Sequence, residues 1–275
     1  LNGERAGSLL STIDRTRTGA GARALAARLT APLTDTEEIN CRLDAVQHFT
    51  RDRTTRETLR DRLRGCPDLE RALSRLTVGR GGPRDLASVR DGLGIATEIK
   101  ELLAHRTLPT TLSINLKDLG NHGELIATLT RALTPELPLY ARDGGFIAPH
   151  FAPEFDDLRE LRDESRRLIA GLQDKYAADT DIQNLKIKHN NVLGYFIEVT
   201  ARHADALLTE TSGPYIHRQT MKNAVRFTTV ELGEMEGRMA SAADKALALE
   251  LELFEKLVAE IIGEGDHIAR AAQAL

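Results

Sequence analysis

The sequence contains no tryptophan, and aromatic residues make up only 4% of its 275 positions. Sheets are usually rich in aromatic and β-branched residues, whereas helices pack well on leucine and alanine. The composition therefore favours a mainly helical chain over an all-β sandwich. Apolar residues make up 41% and charged residues 28%, which is ordinary for a folded protein and excludes wholesale disorder.

Features that define several other classes of protein are also missing. No apolar run reaches the roughly 18 residues that a membrane-spanning helix needs, and no signal-peptide pattern stands at the start. The two cysteines, Cys41 and Cys66, lack metal-ligand spacing, which fits reduced thiols in a cytoplasmic protein. Because the sequence opens on Leu1 and reads like the middle of a chain, we expect it to be part of a longer protein.

Motifs of stand-alone enzymes are equally scarce. The sequence has no Gly-x-x-x-x-Gly-Lys-Ser/Thr phosphate loop, no His-Glu-x-x-His and no Cys-x-x-Cys. Paired acids such as Asp156 and Asp157 stand at a predicted helix start, where the helix dipole is a sufficient reason for them. The sequence therefore predicts no enzymatic activity, no catalytic residue, no metal site and no cofactor for this chain.

The first 135 residues are predicted to form short amphipathic helices separated by residues that start or end helices. Thr34 and Glu37 have the spacing of a capping box. Pro67 and Pro83 stand where first helical residues are expected, and the glycine-rich residues 79–82 separate these two helices. The apolar residues predicted to share helix faces are Ile39, Leu43, Val46 and Phe49, then Leu69, Leu73 and Leu76, then Leu86, Val89 and Leu93.

Two longer helices are predicted at about 154–178 and about 231–262, and residues 141–148 before them read as a small hairpin that turns at Asp-Gly-Gly. Both helices carry apolar residues at alternating spacings of three and four, the pattern of a coiled-coil seam. Since neither has another partner in the sequence, we expect them to pair antiparallel. The seam residues are Leu158, Leu161, Ser165, Leu168 and Leu172 in the first helix and Leu232, Met235, Met239, Ala242, Ala246, Leu249 and Leu253 in the second.

Between these helices, residues 183–230 change from helical spacing to alternation. The alternation predicts strands at 193–199, 185–188 and 225–229, with a turn at 190–191 between the first two. The basic residues here are Lys186, Lys188, Arg202, Arg218, Lys222 and Arg226, and the acidic ones are Glu198, Asp205 and Glu210. The segment is therefore basic in a chain of net charge −4, which suits phosphate contact, although a solvated polar hairpin has the same composition.

A succession of segments resembles one known protein family. Residues 185–200 (LKIKHNNVLGYFIEVT) and 215–227 (YIHRQTMKNAVRF) resemble the clamp domain of the MutS family of bacterial mismatch-recognition proteins, and 246–250 (ALALE) resembles the start of its returning lever helix. Segments similar to the core or lever domain of the same family are 7–16, 32–35, 67–71 and 81–86. The resemblance covers essentially the whole chain, in the family's order.

The resemblance implies a mainly α fold: a multi-helical lever domain with a long antiparallel coiled-coil arm that carries a small β-rich clamp tip. It implies a core or lever domain over 1–153, a clamp domain over 154–240 with its tip at about 183–230, and a returning lever helix over 241–275. It also implies the clamp and lever portion of a DNA mismatch recognition protein. That portion would contact the phosphate backbone of duplex DNA without regard to base sequence.

The same resemblance implies that ATP and Mg are used by a domain outside this chain, whose conformational changes the lever would relay. The implied partners are double-stranded DNA, a second copy in a homodimer of the full-length protein, and a MutL-type repair protein, with no membrane. The implied location is the cytoplasm, in association with the nucleoid.

The site residues follow from the resemblance and from charge. The family's backbone-contacting residues match Asn190, Lys222 and Asn223, and charge adds two arginines of the same motif, so the predicted DNA-backbone-binding residues are Asn190, Arg218, Lys222, Asn223 and Arg226. The sequence departs from the family pattern at His189, where an aromatic residue is common, and at Val225, where Glu often precedes the arginine. The loss of that Glu is expected to leave Arg226 freer to meet phosphate.

Two alternatives remain open. Phe196 and Glu198 fit the short Phe-x-Glu pattern with which the family reads mismatches, but the residues around them favour an ordinary alternating strand. A different class of function is a helical scaffold, in which the coiled-coil seam binds a protein partner instead of DNA.

Overall fold

A computed structural model describes residues 7–190, 192–208 and 213–275, without the side chains of residues 162, 165, 166 and 206. The predicted features that lie outside the described residues are the second half of the turn at Asn191, the charge of Glu210 and the seam position of the Ser165 side chain. The described part is mainly helical with one small antiparallel sheet, as the sequence predicted. The coiled-coil arm stays a prediction.

The elements have the following bounds. The α-helices are α1 (Leu9–Ile13), α2 (Gly19–Thr30), α3 (Thr36–Arg51), α4 (Arg53–Arg64), α5 (Leu69–Thr77), α6 (Pro83–Leu103), α7 (Thr110–Asp118), α8 (Gly123–Ala132), α9 (Pro153–Thr180), α10 (Ala201–Leu208), α11 (Val230–Gly263) and α12 (Gly265–Ala274). The strands are β1 (Lys186–Asn190), β2 (Gly194–Thr200), β3 (Ile216–Thr220) and β4 (Ala224–Thr228).

Contacts divide the chain into two units. The helical unit runs to Ala148 and resumes at Leu251–Leu275, and the sheet-bearing unit comprises Pro149–Glu250. The domain limits predicted at residues 153 and 240 stay predictions.

The core of the helical unit contains the leucine faces that periodicity predicted for α5 and α6. Leu69 and Leu76 of α5 are at most 3% exposed, and Leu86, Val89 and Leu93 of α6 are completely buried. Each such side chain contributes about 1.5–3 kcal/mol by leaving water. These two helices are therefore fixed mainly by burial of one apolar face each.

The apolar face predicted for α3 forms on the helix, but the described residues cover only part of it, since Ile39 and Phe49 are half-buried. Leu43 is 56% exposed and Val46 is 62% exposed. The described parts of α1, α2, α3 and α7 contain no buried residue. Polar contacts attach part of this region to the core, since Arg23 of α2 donates to Asp68 at 2.6 Å.

Two predicted helix starts are wrong. The cap of α3 is Asp35 instead of Thr34, because the Asp35 carboxylate accepts two backbone N–H groups of the first turn at 2.8 and 3.0 Å. A carboxylate is also favoured there by the helix dipole. At α5 the cap is Asp68, so Pro67 precedes the helix, whereas Pro83 is the first residue of α6 as predicted.

The hairpin predicted around Asp-Gly-Gly is also wrong. Ala141–Asp143 form a 3-10 turn, and the two following glycines take positive φ values of 65° and 81°. A single bridge then joins Ile147 to Leu133 instead of pairing the segment with itself. Core packing explains the difference from the predicted hairpin. Phe146 is completely buried and packs edge-on against Phe254, with 5.8 Å between ring centroids.

The sheet of the second unit has the strand order β1-β2-β4-β3, with each neighbouring pair antiparallel. The strands predicted from 185–188, 193–199 and 225–229 correspond to β1, β2 and β4, whereas β3 and α10 were not predicted. Edge strand β3 contains a register shift between His217 and Gln219, which leaves Arg218 as the extra residue of an irregularity.

One face of the sheet packs on α9 and α11. The buried residues of this cluster include Ile169, Leu172 and Tyr176 of α9, Ile197 and Val199 of β2, Val225 and Phe227 of β4, and Leu232 of α11. The observed face of α9 is displaced by one residue from part of the predicted seam. Leu161 and Leu168 of that seam are 38% and 43% exposed.

A buried hydroxyl pair joins the end of β4 to both long helices. Tyr176 and Thr229 share a hydrogen bond of 2.8 Å, and the Thr229 hydroxyl also accepts the Leu232 N–H at 3.0 Å, which caps the start of α11. Lys175 and Glu231 form an ion pair beside them at 2.9 Å. Burial raises the pKa of Tyr176, and the Lys175 hydrogen bond lowers the pKa of Glu231.

The outer edge of β1 is closed by a side chain. The carboxamide oxygen of Gln173 on α9 accepts the backbone N–H of Ile187 at 3.0 Å. The Ile187 N–H lies on the edge of β1 that has no neighbouring strand, and Gln173 supplies the acceptor that a strand would otherwise provide.

Candidate nucleic-acid interface

The two hairpin turns of the sheet lie near its opposite ends. Asn190 pairs with Gly194 at one end of β2, and Ala224 pairs with Thr200 at the other end. Thr200 is six residue steps beyond Gly194, which corresponds to about 20 Å of strand. The predicted Asn190 contact is therefore far from the predicted contacts in the β3–β4 turn.

The β3–β4 turn presents Lys222 and Asn223 to solvent. The Met221 N–H donates to the Ala224 carbonyl at 2.8 Å, so the two predicted contact residues form a two-residue loop. Both are exposed, and neither side chain has a partner among the described residues. An ammonium and a carboxamide at a hairpin apex can both reach phosphate oxygens without breaking an internal contact.

Asn190 is used differently. Its carboxamide oxygen accepts the backbone N–H groups of Val192 and Leu193 at 3.0 and 2.8 Å, so it closes the β1–β2 turn. The same turn is attached to α11, because Glu236 accepts the Tyr195 N–H at 3.2 Å. The geometry supports a role in turn formation, and its DNA contact stays a prediction.

Within residues 183–230, four exposed cations have no hydrogen-bond or ion-pair partner among the described residues: Lys186, Arg202, Arg218 and Lys222. Lys222 is in the β3–β4 turn, and Arg202 comes just after Thr200, which ends β2 beside that turn. Along the strand direction, Lys186 and Arg218 lie at about the same position as Glu198. We call this group the uncompensated cations.

The site prediction included Arg218 and Lys222 of this group and omitted Lys186 and Arg202. Their charge was visible in the sequence. Whether a carboxylate already neutralised each cation was not visible, because pairing depends on the register of β1, β2 and β4.

Arg226 has internal partners, although the loss of the preceding Glu was expected to leave it freer, and its DNA contact stays a prediction. Its guanidinium lies 3.2 Å from the Glu198 carboxylate and donates to the Gln219 carboxamide at 3.0 Å. It also covers the Phe196 ring at 4.4 Å from the centroid, a cation–π arrangement. The missing Glu before Arg226 is thus replaced by a carboxylate from the neighbouring strand.

Glu198 pairs with a second cation as well. Lys188 donates to it at 2.6 Å, and this bond together with Arg226 lowers the pKa of the carboxyl below its usual range. Phe196 is only 2% exposed beneath Arg226. These contacts support the interpretation of the Phe-x-Glu pattern as an ordinary strand instead of a mismatch-reading wedge.

No group of three or more His, Cys, Asp or Glu side chains in the described part of the chain is arranged to hold a metal ion. Likewise, no helix in the described ranges is both long and apolar enough to cross a membrane.

This arrangement, a small sheet with uncompensated cations on a helical protein, accords with the family resemblance of the sequence. The whole chain, residues 1–275, matches the family model of MutS domain III, and the chain belongs to that family. It is 51% identical over 278 residues to the DNA mismatch repair proteins MutS of Bartonella henselae and of Rhizobium meliloti. The match covers 100% of this chain and 30% of each relative, so the chain spans less than a third of their length.

Proposed function

We propose that this chain is the duplex-DNA clamp and lever portion of a mismatch recognition protein, and that it contacts phosphates without regard to base sequence. The observation that carries the proposal is the group of uncompensated cations of the sheet and its β3–β4 turn. Unpaired Lys and Arg side chains attract phosphates strongly because no internal carboxylate cancels their charge. Membership of the MutS domain III family supports the same conclusion.

The test is fluorescence anisotropy of labelled duplexes, one fully matched and one with a mismatch, titrated with the 275-residue chain at several salt concentrations. If the four uncompensated cations each neutralise one phosphate, log K falls with log salt at a slope of about −3.6. Equal affinity for both duplexes is expected, since phosphate contacts carry no base information.

The decisive variant is Lys222→Glu, which reverses a charge at the hairpin apex. We expect about tenfold weaker binding at low salt and a flatter salt dependence. Lys245→Glu is the matched control, because it makes the same charge change at an exposed position of α11 away from the turn. Equal affinities of the two variants would contradict the proposed interface.

The wider activity is proposed from the relatives. These relatives are DNA mismatch repair proteins. We infer that ATP and Mg act in a domain outside this chain, and that the long helices α9 and α11 relay its changes to the sheet. A homodimer of the full-length protein, a MutL-type partner and a cytoplasmic, nucleoid-associated location complete the proposal.

A protein-binding scaffold is the second candidate. A groove of about 620 Å³ between α9 and α11 is lined by Leu158 and Leu161 on one side and by residues from Glu234 to Lys245 on the other. The exposure of Leu161 and Leu168 favours this candidate. Light scattering tests it, since a concentration-dependent dimer that Leu161→Lys abolishes would support it, and a monomer at all concentrations would contradict self-association.

A further inference from the structure

A row of polar side chains crosses the outward face of the sheet with Glu198 at its centre. Glu198 contacts Lys188 on β1 at 2.6 Å and Arg226 on β4 at 3.2 Å, and Arg226 continues to Gln219 on β3 at 3.0 Å. The row therefore engages all four strands. The side chains of Glu198 and Arg226 are only 19% and 18% exposed.

One carboxylate thus neutralises part of the charge of two cations in a segment that is basic overall. A paired cation exerts a much weaker field on a distant phosphate than an unpaired one, because the nearby negative charge cancels most of its potential. Geometry restrains Arg226 further. Its Nε faces Glu198, its Nη1 faces Gln219, and its flat face lies on Phe196.

The Glu198 carboxylate forms no ion pair with the uncompensated cations. Lys186 stands directly opposite Glu198 in the β1–β2 register but has no ion pair within the described ranges. The residue pattern therefore separates two classes of cation in one small sheet. Lys188 and Arg226 are paired with Glu198, whereas the uncompensated cations are available to bind phosphate.

We propose that Glu198 is a positioning residue that withholds Lys188 and Arg226 from DNA and so keeps the duplex contact weak and easily reversed. This inference rests on the proposed function of the same surface. Each additional phosphate that is neutralised steepens the dependence of log K on log salt by about 0.9, so releasing two cations changes the slope by up to about 1.8.

The test is Glu198→Gln in the 275-residue chain, measured by the same anisotropy titration with a matched duplex. Gln keeps a hydrogen-bond acceptor for Lys188 and Arg226 but removes the charge. We expect binding about threefold to tenfold tighter at about 50 mM salt, with a salt slope steeper by about 1 to 2. Thermal unfolding measured on each sample establishes that the compared proteins are folded.

Three further variants assign the effect. Glu234→Gln removes an exposed carboxylate of α11 that has no ion pair among the described residues, so it is the matched control for net charge. Glu198→Asp keeps the charge and is expected to bind like the unsubstituted chain. Adding Lys188→Gln to Glu198→Gln should remove about half of the gain in slope, because one of the two released cations is then absent.

The outcomes separate this inference from the proposed function. If the chain binds DNA and Lys222→Glu weakens binding, but Glu198→Gln behaves like Glu234→Gln, the role of Glu198 is refuted and the interface stands. Weaker binding by folded Glu198→Gln refutes it as well. If the unsubstituted chain binds no duplex at low salt, both proposals are overturned.

Discussion

The two hairpin turns of one sheet differ in how their polar groups are used. At the β1–β2 turn, the Asn190 oxygen accepts two backbone N–H groups and Glu236 accepts a third from Tyr195. At the β3–β4 turn, Lys222 and Asn223 have no side-chain partner within the described ranges. The first turn is held by its own hydrogen bonds, and the second offers its side chains to a ligand.

This difference separates two reasons for which a polar residue occupies a turn. A side chain whose acceptor atoms already bond to the backbone stabilises the fold, and its replacement mainly changes stability. A side chain without internal partners contributes little to stability, so its replacement changes binding. Three predictions test this separation and a fourth concerns Glu198 in the sheet between the turns, ordered from the largest expected effect to the smallest.

The largest effect is expected for Gly194→Ala at the β1–β2 turn. Gly194 has φ of 69°, and an added Cβ would clash with the Glu236 carboxylate. The strained backbone and the displaced Glu236 hydrogen bond should destabilise the fold by about 2–3 kcal/mol. Chemical denaturation measures this change. Gly171→Ala on α9 is the control, because the space around a Cβ there is open, and an equal loss in both variants would contradict the assignment.

Asn190→Ala should have the next largest effect. Loss of the two turn hydrogen bonds is expected to lower the free energy of unfolding by about 1–2 kcal/mol. The slope of log K for duplex DNA against log salt should remain that of the unsubstituted chain, because no charge is removed. A normal stability combined with clearly weaker DNA binding would place Asn190 at the DNA instead.

Lys222→Gln should show the opposite pattern. The stability should change by less than about 0.5 kcal/mol, because the exposed ammonium has no internal partner. The salt slope should become flatter by about 0.9, as expected for one lost phosphate contact. Denaturation and anisotropy on the same sample test both statements, and an unchanged slope would remove this turn from the interface.

The smallest effect concerns pH. The pKa of Glu198 is lower in the fold than the ordinary value of 4.5 for a glutamate, chiefly because Lys188 bonds to the carboxylate. The stability from this group is therefore complete above pH about 4.5 and is lost as the pH falls toward the lower folded pKa. Unfolding midpoints of the unsubstituted chain and Glu198→Gln should converge on acidification. A gap of constant size throughout acidification would contradict the linkage.

The sequence predicted the parts of the fold that depend on local periodicity. Leu86, Val89 and Leu93 share a buried helix face, and alternation correctly located the strand of Ile197. Strand β3 escaped prediction because all its residues are exposed, so it shows no apolar alternation. Part of the α9 seam was placed one residue away, since Leu168 and Ile169 fit helical spacing almost equally well.

The sequence predicted which charged residues the candidate site contains, but not which cations form ion pairs with carboxylates. The charges of Lys222 and Arg226 were equally visible in the sequence, yet one is unpaired and the other is held by Glu198. That distinction arises from the β2–β4 register, which places Glu198 opposite Arg226. Register follows from the packing of the whole sheet, so residue-by-residue reading could not supply it.

The contact between Gln173 and Ile187 has a consequence for the behaviour of concentrated protein. A regular sheet edge with unpaired backbone groups is a template on which strands of other molecules add and form aggregates. At β1 the carboxamide of Gln173 occupies the Ile187 N–H, and at β3 the register shift beside Arg218 interrupts the ladder. Both edges of the sheet thereby resist strand-by-strand polymerisation, even though every residue of β3 is exposed to solvent.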